Sequence, residues 1–157
     1  MRLSTSKSPN SSVCFFQIIN KGKQELPQYQ TQGSAGMDLR ADLDAPISIS
    51  PLERILVPTG LYIAIPRGYE GQVRARSGTS LKKGLTLINA VGTIDSDYRG
   101  ELRIPIVNLS GEVQTIESGE RIAQIVFAQV AKARLTPVDN LEETDRGIGG
   151  FGSTQAH

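Results

Sequence analysis

The sequence predicts an all-β fold, a sandwich or barrel built from many short strands. Short runs rich in β-branched residues recur along the chain, and glycine, proline or asparagine separates them. Within runs such as 47–49 and 71–76, apolar and polar residues alternate, as they do in half-buried strands. Only residues 80–83, followed by Gly84, have the pattern of a short helix and its stop. Many strands and one helical turn are typical of an all-β domain.

Each strand candidate ends where turn residues begin. Pro51 follows the first alternating run, Pro58 and Gly60 follow the second, and Pro66 and Gly68 follow the third. The candidates are residues 13–19, 47–49, 54–57, 61–65, 71–76, 85–88, 91–94, 102–107, 113–116, 121–130 and 135–138. The apolar runs 85–94 and 102–107 flank a polar turn, which predicts a β-hairpin between them.

Changes of composition divide the chain into three segments. Residues 1–12 are rich in serine and carry no acidic residue, so we expect a disordered start. Residues 13–139 form the predicted single all-β domain. Residues 140–157 are first acidic and then glycine-rich, which predicts a flexible C-terminal arm.

Composition excludes several classes of function. The chain has 157 residues and a formal net charge of +1, so it lacks the basic field that binds a nucleic-acid backbone. No apolar run approaches the ~20 residues of a membrane-spanning helix. We therefore expect no nucleic-acid partner and no membrane partner. Cys14 is the only cysteine, which excludes an internal disulfide and, with no export signal, favours the cytoplasm.

The shortage of histidine narrows the chemistry further. His157 is the only histidine, so a Ser-His-Asp triad or a histidine-based zinc site cannot be built. A hydrolase with this composition must rely on carboxylates, arginines, backbone amides and a metal ion carried by its substrate.

Two stretches contain residues that a plain β-sandwich does not need. Asp95 directly follows an apolar run and precedes Tyr98 by three residues. Such a carboxylate can orient a water and accept its proton, and the ring can stack on a sugar or base; the alternative is an ordinary turn. Arg76, Ser77 and Gly78 stand where a strand meets the short helix, which suits an anion, although an ordinary N-capped helix has the same pattern.

Two further stretches have the same ambiguity. Gln124 lies in a nearly continuous apolar strand, so its amide must bond either to neighbouring backbone or to a ligand phosphate. The arm contains Arg146 and Phe151 among glycines, which allow the backbone to wrap an anion while the ring covers an apolar base. A flexible tail without a role is the alternative.

Taken together, these stretches resemble the five ordered motifs of the trimeric dUTPase family. In the family's order they are residues 34–39, 76–78, 92–100, 121–124 and 146–154. The third motif, preceded by Asn89, and the fifth are highly specific. Met37, Ala75 and Thr79 depart from frequent family residues, but none of these departures removes a functional group.

The resemblance implies a dUTPase-like β-clip, a distorted jelly-roll barrel, assembled as a homotrimer with a mobile C-terminal arm. It implies hydrolysis of dUTP to dUMP and pyrophosphate, which clears dUTP from the DNA precursor pool and supplies dUMP for thymidylate synthesis. Mg²⁺ would be the cofactor, bound to the triphosphate, with Asp38 reached through a water. Each site would combine residues of all three chains.

The resemblance also implies a role for each site residue. Asp95 would activate the water, and Tyr98 would lie under the deoxyribose and exclude a 2′-hydroxyl. Uracil would be bound largely through backbone groups around Asn89, Thr93, Ile94 and Arg103. The phosphates would be bound by Arg76, Ser77, Gly78 and Gln124 of a neighbouring chain. The arm of the third chain would close the site with Arg146, Phe151, Gly152, Ser153 and Thr154.

Other functions stay open at this point. A dCTP deaminase shares the fold of the wider family, but it would need a catalytic glutamate and a different segment around Asp95. A non-catalytic trimer that binds dUTP or another protein, or a generic all-β structural protein, would fit the strand pattern alone.

Overall fold

The computed structural model describes residues 14–150, which form a β-rich fold with one short helix. The strands are β1 (Gln17–Asn20), β2 (Met37–Arg40), β3 (Ile47–Ile49), β4 (Arg54–Pro58), β5 (Leu61–Ala64), β6 (Tyr69–Arg74), β7 (Leu85–Leu87), β8 (Val91–Ile94), β9 (Arg103–Asn108), β10 (Gln114–Ile116) and β11 (Arg121–Gln129). The helix, α1, is Ser77–Lys83. The all-β prediction is confirmed, whereas the expected disordered segment 1–12 lies outside the described residues.

The strands of residues 14–150 pair antiparallel, and each sheet combines strands from different parts of the sequence. The largest sheet has the order β2-β11-β6-β8, and a three-stranded sheet has the order β4-β9-β7. Two smaller sheets pair β1 with β5 and β3 with β10. Because most neighbours are distant in sequence, the chain crosses between sheets, as in the jelly-roll arrangement that we expected.

The core lies between these sheets and is filled by aliphatic side chains. Ile104 and Ile106 on β9 and Ile122 and Ile125 on β11 are at most 2% exposed. The alternation on β9 places every second side chain in the core, which explains the pattern seen in the sequence. Each such side chain contributes about 1.5–3 kcal/mol when it leaves water.

Four expectations about local structure need correction. Residues 135–138 form no strand, because they are exposed and have no neighbouring strand to bond. The hairpin expected between the runs 85–94 and 102–107 forms only in part: β7, at the start of the first run, pairs antiparallel with β9, whereas β8, at its end, pairs with β6. The strand β2 was not predicted, because its apolar and polar residues are too few to show a period. In the first candidate, residues 14–16 are not in a strand and β1 begins at Gln17, while Val13 lies outside the described residues.

The helix α1 begins three residues earlier than the sequence pattern indicated. Its end is as expected, because Gly84 adopts the left-handed conformation with φ 65° and donates its N–H to the carbonyl of Ser80 at 3.0 Å. Lys82 and Lys83 occupy the last turn, where positive charge complements the helix dipole. None of the helices described in residues 14–150 is long and apolar enough to cross a membrane.

Asn108, at the end of β9, is fully buried and joins three segments. Its Nδ2 donates to the carbonyl oxygens of Ile49 at 2.9 Å and Glu112 at 2.7 Å, and its Oδ1 accepts the N–H of Ser110 at 2.8 Å. A buried polar group that loses its partner is costly, and alanine at this position would orphan three backbone groups at once.

We expect Asn108→Ala to lower the free energy of unfolding by about 2–3 kcal/mol. Chemical denaturation at a fixed protein concentration measures the change. Asn20→Ala is the matched control, because Asn20 makes two comparable backbone bonds but is exposed to water. Equal losses for the two variants would show that burial of the Asn108 network contributes nothing.

Candidate functional site

Three neighbouring strands bring the first, second and fourth motifs together. On the β2-β11-β6 sheet, Gln124 lies opposite Asp38 on one side and opposite Arg74 on the other. Ala75 and Arg76 continue the chain directly beyond β6. The predicted phosphate-binding residues Arg76 and Gln124 therefore both lie beside Asp38, at one end of these three strands.

The carboxylate of Asp38 is bonded to two arginines. Its Oδ1 accepts Arg76 Nε at 2.6 Å, and its Oδ2 lies 3.3 Å from Arg121 Nη1. Arg76 also donates from Nη1 to the carbonyl of Arg121 at 3.1 Å. One carboxylate beside two guanidinium groups leaves an excess of positive charge in a fixed geometry, which suits an anionic ligand.

The carboxamide of Gln124 is held between two backbone segments. Its Nε2 donates to the carbonyl of Ala75 at 3.0 Å. On its other side a β-carbon at Gly36 would lie 2.6 Å from Oε1, so a larger residue at position 36 would displace the carboxamide. The expectation that Gln124 bonds neighbouring backbone is confirmed, while its contact with a phosphate stays a prediction.

The start of α1 is not capped by a side chain. Arg76 occupies the N-cap position without a side-chain cap bond, and Ser77 and Gly78 are exposed. The alternative of an ordinary N-capped helix is therefore wrong in that respect. The side chain of Arg76 does not cap the helix, and its guanidinium is bonded to Asp38 instead.

A second group of predicted site residues surrounds Asp95, directly after β8. Asp95 is exposed, and its carbonyl accepts the N–H of Tyr98 at 3.2 Å, which forms a tight turn. The Tyr98 ring lies against Gly100, where an added β-carbon would collide with the phenol oxygen. Its hydroxyl donates to the carbonyl of Glu101 at 2.9 Å. The turn thus presents a carboxylate and a ring edge to solvent together.

The remaining residues of this group flank the turn. Asn89 and Thr93 are exposed and Ile94 is half-buried, at the two ends of β8. The Asn89 amide lies close to Gly92, where a β-carbon would be 3.3 Å from Nδ2. Arg103 is exposed at the start of β9 and pairs with Glu101, Nε to Oε2, at 2.7 Å. These residues therefore flank the Asp95–Tyr98 turn along the chain, Asn89, Thr93 and Ile94 before it and Arg103 after it.

Glu101 is a residue of this segment that the sequence did not single out. Burial works against its charged form, but hydrogen bonds from Arg103 and from the backbone of Gly60 outweigh it and lower the pKa of the Glu101 carboxyl. The same ion pair raises the pKa of Arg103. One signal in the sequence could have indicated this ion pair. Glu101 and Arg103 are two residues apart on an extended segment, where the side chains of residues i and i+2 lie on the same side.

The two groups of site residues lie far apart within one chain. The pairing of β6 with β8 sets Ile94 opposite Gly71 and Val91 opposite Arg74, so Asp95 and Arg76 lie beyond opposite ends of this pair. Arg76 is six positions along the chain from Glu70, the neighbour of Gly71, which is about 20 Å of extended chain. A single chain therefore does not bring Asp95 to Arg76.

The described part of the arm bonds within itself. Arg146 Nε donates to the carbonyl of Gly149 at 2.9 Å, and the N–H of Gly147 bonds to Thr144. Residues 131–148 are all exposed. Phe151, Gly152, Ser153 and Thr154 lie outside the described residues.

In residues 14–150, no three carboxylate, histidine or cysteine side chains gather as a metal-binding group. Asp38 is the carboxylate beside the arginine group.

Known proteins match the chain over most of its length. The dUTPase family model matches residues 22–155. A deoxyuridine 5'-triphosphate nucleotidohydrolase of Finegoldia magna is 58% identical over 137 residues, which cover 87% of this chain and 96% of the relative. The corresponding protein of Fusobacterium nucleatum is 53% identical, with 87% and 94% covered.

Solved structures agree with the sequence comparison. The Staphylococcus bacteriophage 80alpha dUTPase with dUPNHPP superposes with a TM-score of 0.79 at 27% identity, covering 92% of this chain and all of that one. The fold, the motif order and these similarities point to one family: the chain belongs to the dUTPase family.

Proposed function

We propose that this chain hydrolyses dUTP to dUMP and pyrophosphate at sites shared between the subunits of a homotrimer. Its family membership and its similarity to named nucleotidohydrolases support the reaction. The observation that carries the site is the exposed carboxylate of Asp95, presented with Tyr98 at the end of β8, in a chain that separately holds an arginine group for phosphates.

The separation of Asp95 from Arg76 supports a site between subunits. Neither group alone combines a base with phosphate ligands, so a second chain must complete each site. An apolar outer face on the three-stranded sheet offers a surface for that contact. Leu56 and Ile88 are each more than half exposed, and both flank Pro105 across the strands. Exposed aliphatic side chains in one row are typical of a surface covered by another subunit.

The phosphates are bound by the group on the β2-β11-β6 sheet. Arg76 supplies positive charge, Ser77 and Gly78 supply the exposed start of α1, and Gln124 supplies an amide. The Arg76–Asp38 pair supports this role, because it fixes the guanidinium before any ligand binds and so lowers the entropy lost on binding.

The segment 89–103 binds the nucleoside. Backbone groups around Asn89, Thr93, Ile94 and Arg103 bind the uracil edge, where cytosine would leave donors facing donors. The Tyr98 ring is held by its bond to Glu101 and by contact with Gly100, so it lies under the deoxyribose as a rigid surface. UTP does not bind productively, because the Tyr98 ring leaves no room for its 2′-hydroxyl.

Catalysis is by in-line attack of water on the α-phosphorus. Asp95 orients the water and takes its proton; the new bond joins the water oxygen to the α-phosphorus, and the bond to the bridging oxygen of pyrophosphate breaks. Alignment and neutralisation of charge by the arginines supply the remainder of the acceleration. Mg²⁺ bound to the triphosphate oxygens would neutralise further charge, with Asp38 in reach through a water.

The arm closes the site from the third subunit. Arg146 and the residues after Gly150, namely Phe151, Gly152, Ser153 and Thr154, cover the base and bind the outer phosphates. The exposed course of residues 131–148 supports this role, because a segment that is not packed on its own chain can reach another.

A nucleotide panel with Mg²⁺ tests the proposed function. Pyrophosphate release is expected from dUTP, and release from dTTP, dCTP and UTP is expected to be lower by at least about a hundredfold. Ammonia released from dCTP without pyrophosphate would identify a deaminase instead. Binding of dUTP without any release would identify a non-catalytic protein.

A further inference from the structure

Glu101 lies in the middle of the proposed nucleoside-binding segment, yet its side chain points into the protein. Its side chain is 13% exposed, whereas that of its partner Arg103 is 53% exposed. A carboxylate that is buried loses its favourable hydration, so it stays ionised only where hydrogen-bond donors of the protein replace the lost water. The contacts of Glu101 therefore decide what it does.

Each carboxylate oxygen of Glu101 accepts a hydrogen bond, and the two donors lie on different segments of the chain. Oε1 accepts the N–H of Gly60 at 2.9 Å, in the turn between β4 and β5. Oε2 accepts Arg103 Nε at 2.7 Å. Glu101 thus connects the guanidinium of Arg103 to a turn of the protein body, and the lowered pKa of its carboxyl keeps it ionised at neutral pH.

The main chain around Glu101 is fixed to the same turn. The N–H of Leu102 bonds to the carbonyl of Leu61 at 2.8 Å, and the carbonyl of Leu102 accepts the hydroxyl of Thr59 at 2.6 Å. The carbonyl of Glu101 itself accepts the Tyr98 hydroxyl at 2.9 Å. With the backbone already fixed, the Glu101 carboxylate is the group that orients Arg103.

We propose that, in addition to the backbone groups that bind the uracil edge, the exposed Arg103 guanidinium contacts the bound nucleotide, and that Glu101 is a positioning residue that holds this guanidinium in place without contacting dUTP itself. This inference rests on the proposed function. Because Asp95 makes no described bond to Glu101, the effect of Glu101 falls on binding and not on the chemical step.

The variant Glu101→Gln tests the proposal. Glutamine keeps the size of the side chain and an oxygen for the Gly60 N–H, but it removes the charge that pairs with Arg103. We expect KM for dUTP to rise about tenfold while kcat stays within about twofold. Glu53→Gln is the matched control, since Glu53 also accepts one backbone N–H, from Ser50 at 2.7 Å, but is exposed on a distant turn.

A double-mutant cycle separates positioning from general destabilisation. If Glu101 acts through Arg103, adding E101Q to an Arg103→Ala chain raises KM no further. Additive effects, or a loss of kcat at unchanged KM, would overturn the proposal. Thermal unfolding verifies that each variant is folded; if E101Q is not, Glu101→Asp, which withdraws the carboxylate by one methylene, takes its place with the same criteria. Absence of dUTP hydrolysis by the unmodified chain would instead refute the proposed function.

Discussion

Replacing Asp95 with asparagine is expected to slow dUTP hydrolysis by about a thousandfold while nucleotide affinity changes little. Asparagine has nearly the same shape but cannot accept the proton of the attacking water. Asp95 is exposed and makes no described side-chain bond, so the substitution leaves the fold unchanged. Pyrophosphate release measures turnover, and titration with a non-hydrolysable dUTP analogue measures binding.

The neighbouring carboxylate provides the control for this experiment. Asp97 is exposed in the same turn, two residues from Asp95, and carries the same charge. If general charge near the phosphates were sufficient, Asp97→Asn and Asp95→Asn would slow the reaction equally. Unchanged turnover in Asp95→Asn would show that another group activates the water.

Local patterns in the sequence were sufficient to predict most strands. The bounds of β8 were predicted to the residue, because three of its four residues are β-branched and polar residues follow. The stop of α1 at Gly84 was predicted for an equally local reason, the left-handed conformation that glycine tolerates. Local chemistry of this kind does not depend on the remainder of the chain.

Pairing between strands could not be predicted in the same way. The runs around Asp95 have the pattern of a hairpin, and β7 does pair with β9, but β8 pairs with β6 and the other neighbour of β9 is β4. Residues 135–138 have the composition of a strand, but a strand needs a partner. Which edges meet depends on the packing of the whole core, and no short window of sequence contains that information.

The motif residues of the candidate site could be predicted from the sequence, but the contacts that hold those residues in place could not. Arg76, Asp38 and Gln124 were each expected in the site, but the ion pair between Arg76 and Asp38 depends on the order β2-β11-β6. Glu101 was missed because a single glutamate in a polar turn is ordinary in sequence. Its burial and its bond to Gly60 emerge only when distant segments fold together.

Removing residues 146–157 is expected to leave the assembly intact and to reduce kcat/KM for dUTP by about a hundredfold. The described part of the removed segment, residues 146–150, makes its hydrogen bonds within the arm, so the midpoint of thermal unfolding should stay within about 2 °C. Under the proposed function, in contrast, catalysis needs the arm to exclude water and to hold the outer phosphates. Removing residues 155–157 alone, beyond Thr154, is the control and should have no effect. Full activity without residues 146–157 would mean that the sites close without the arm, and Arg146 would then have no part in binding.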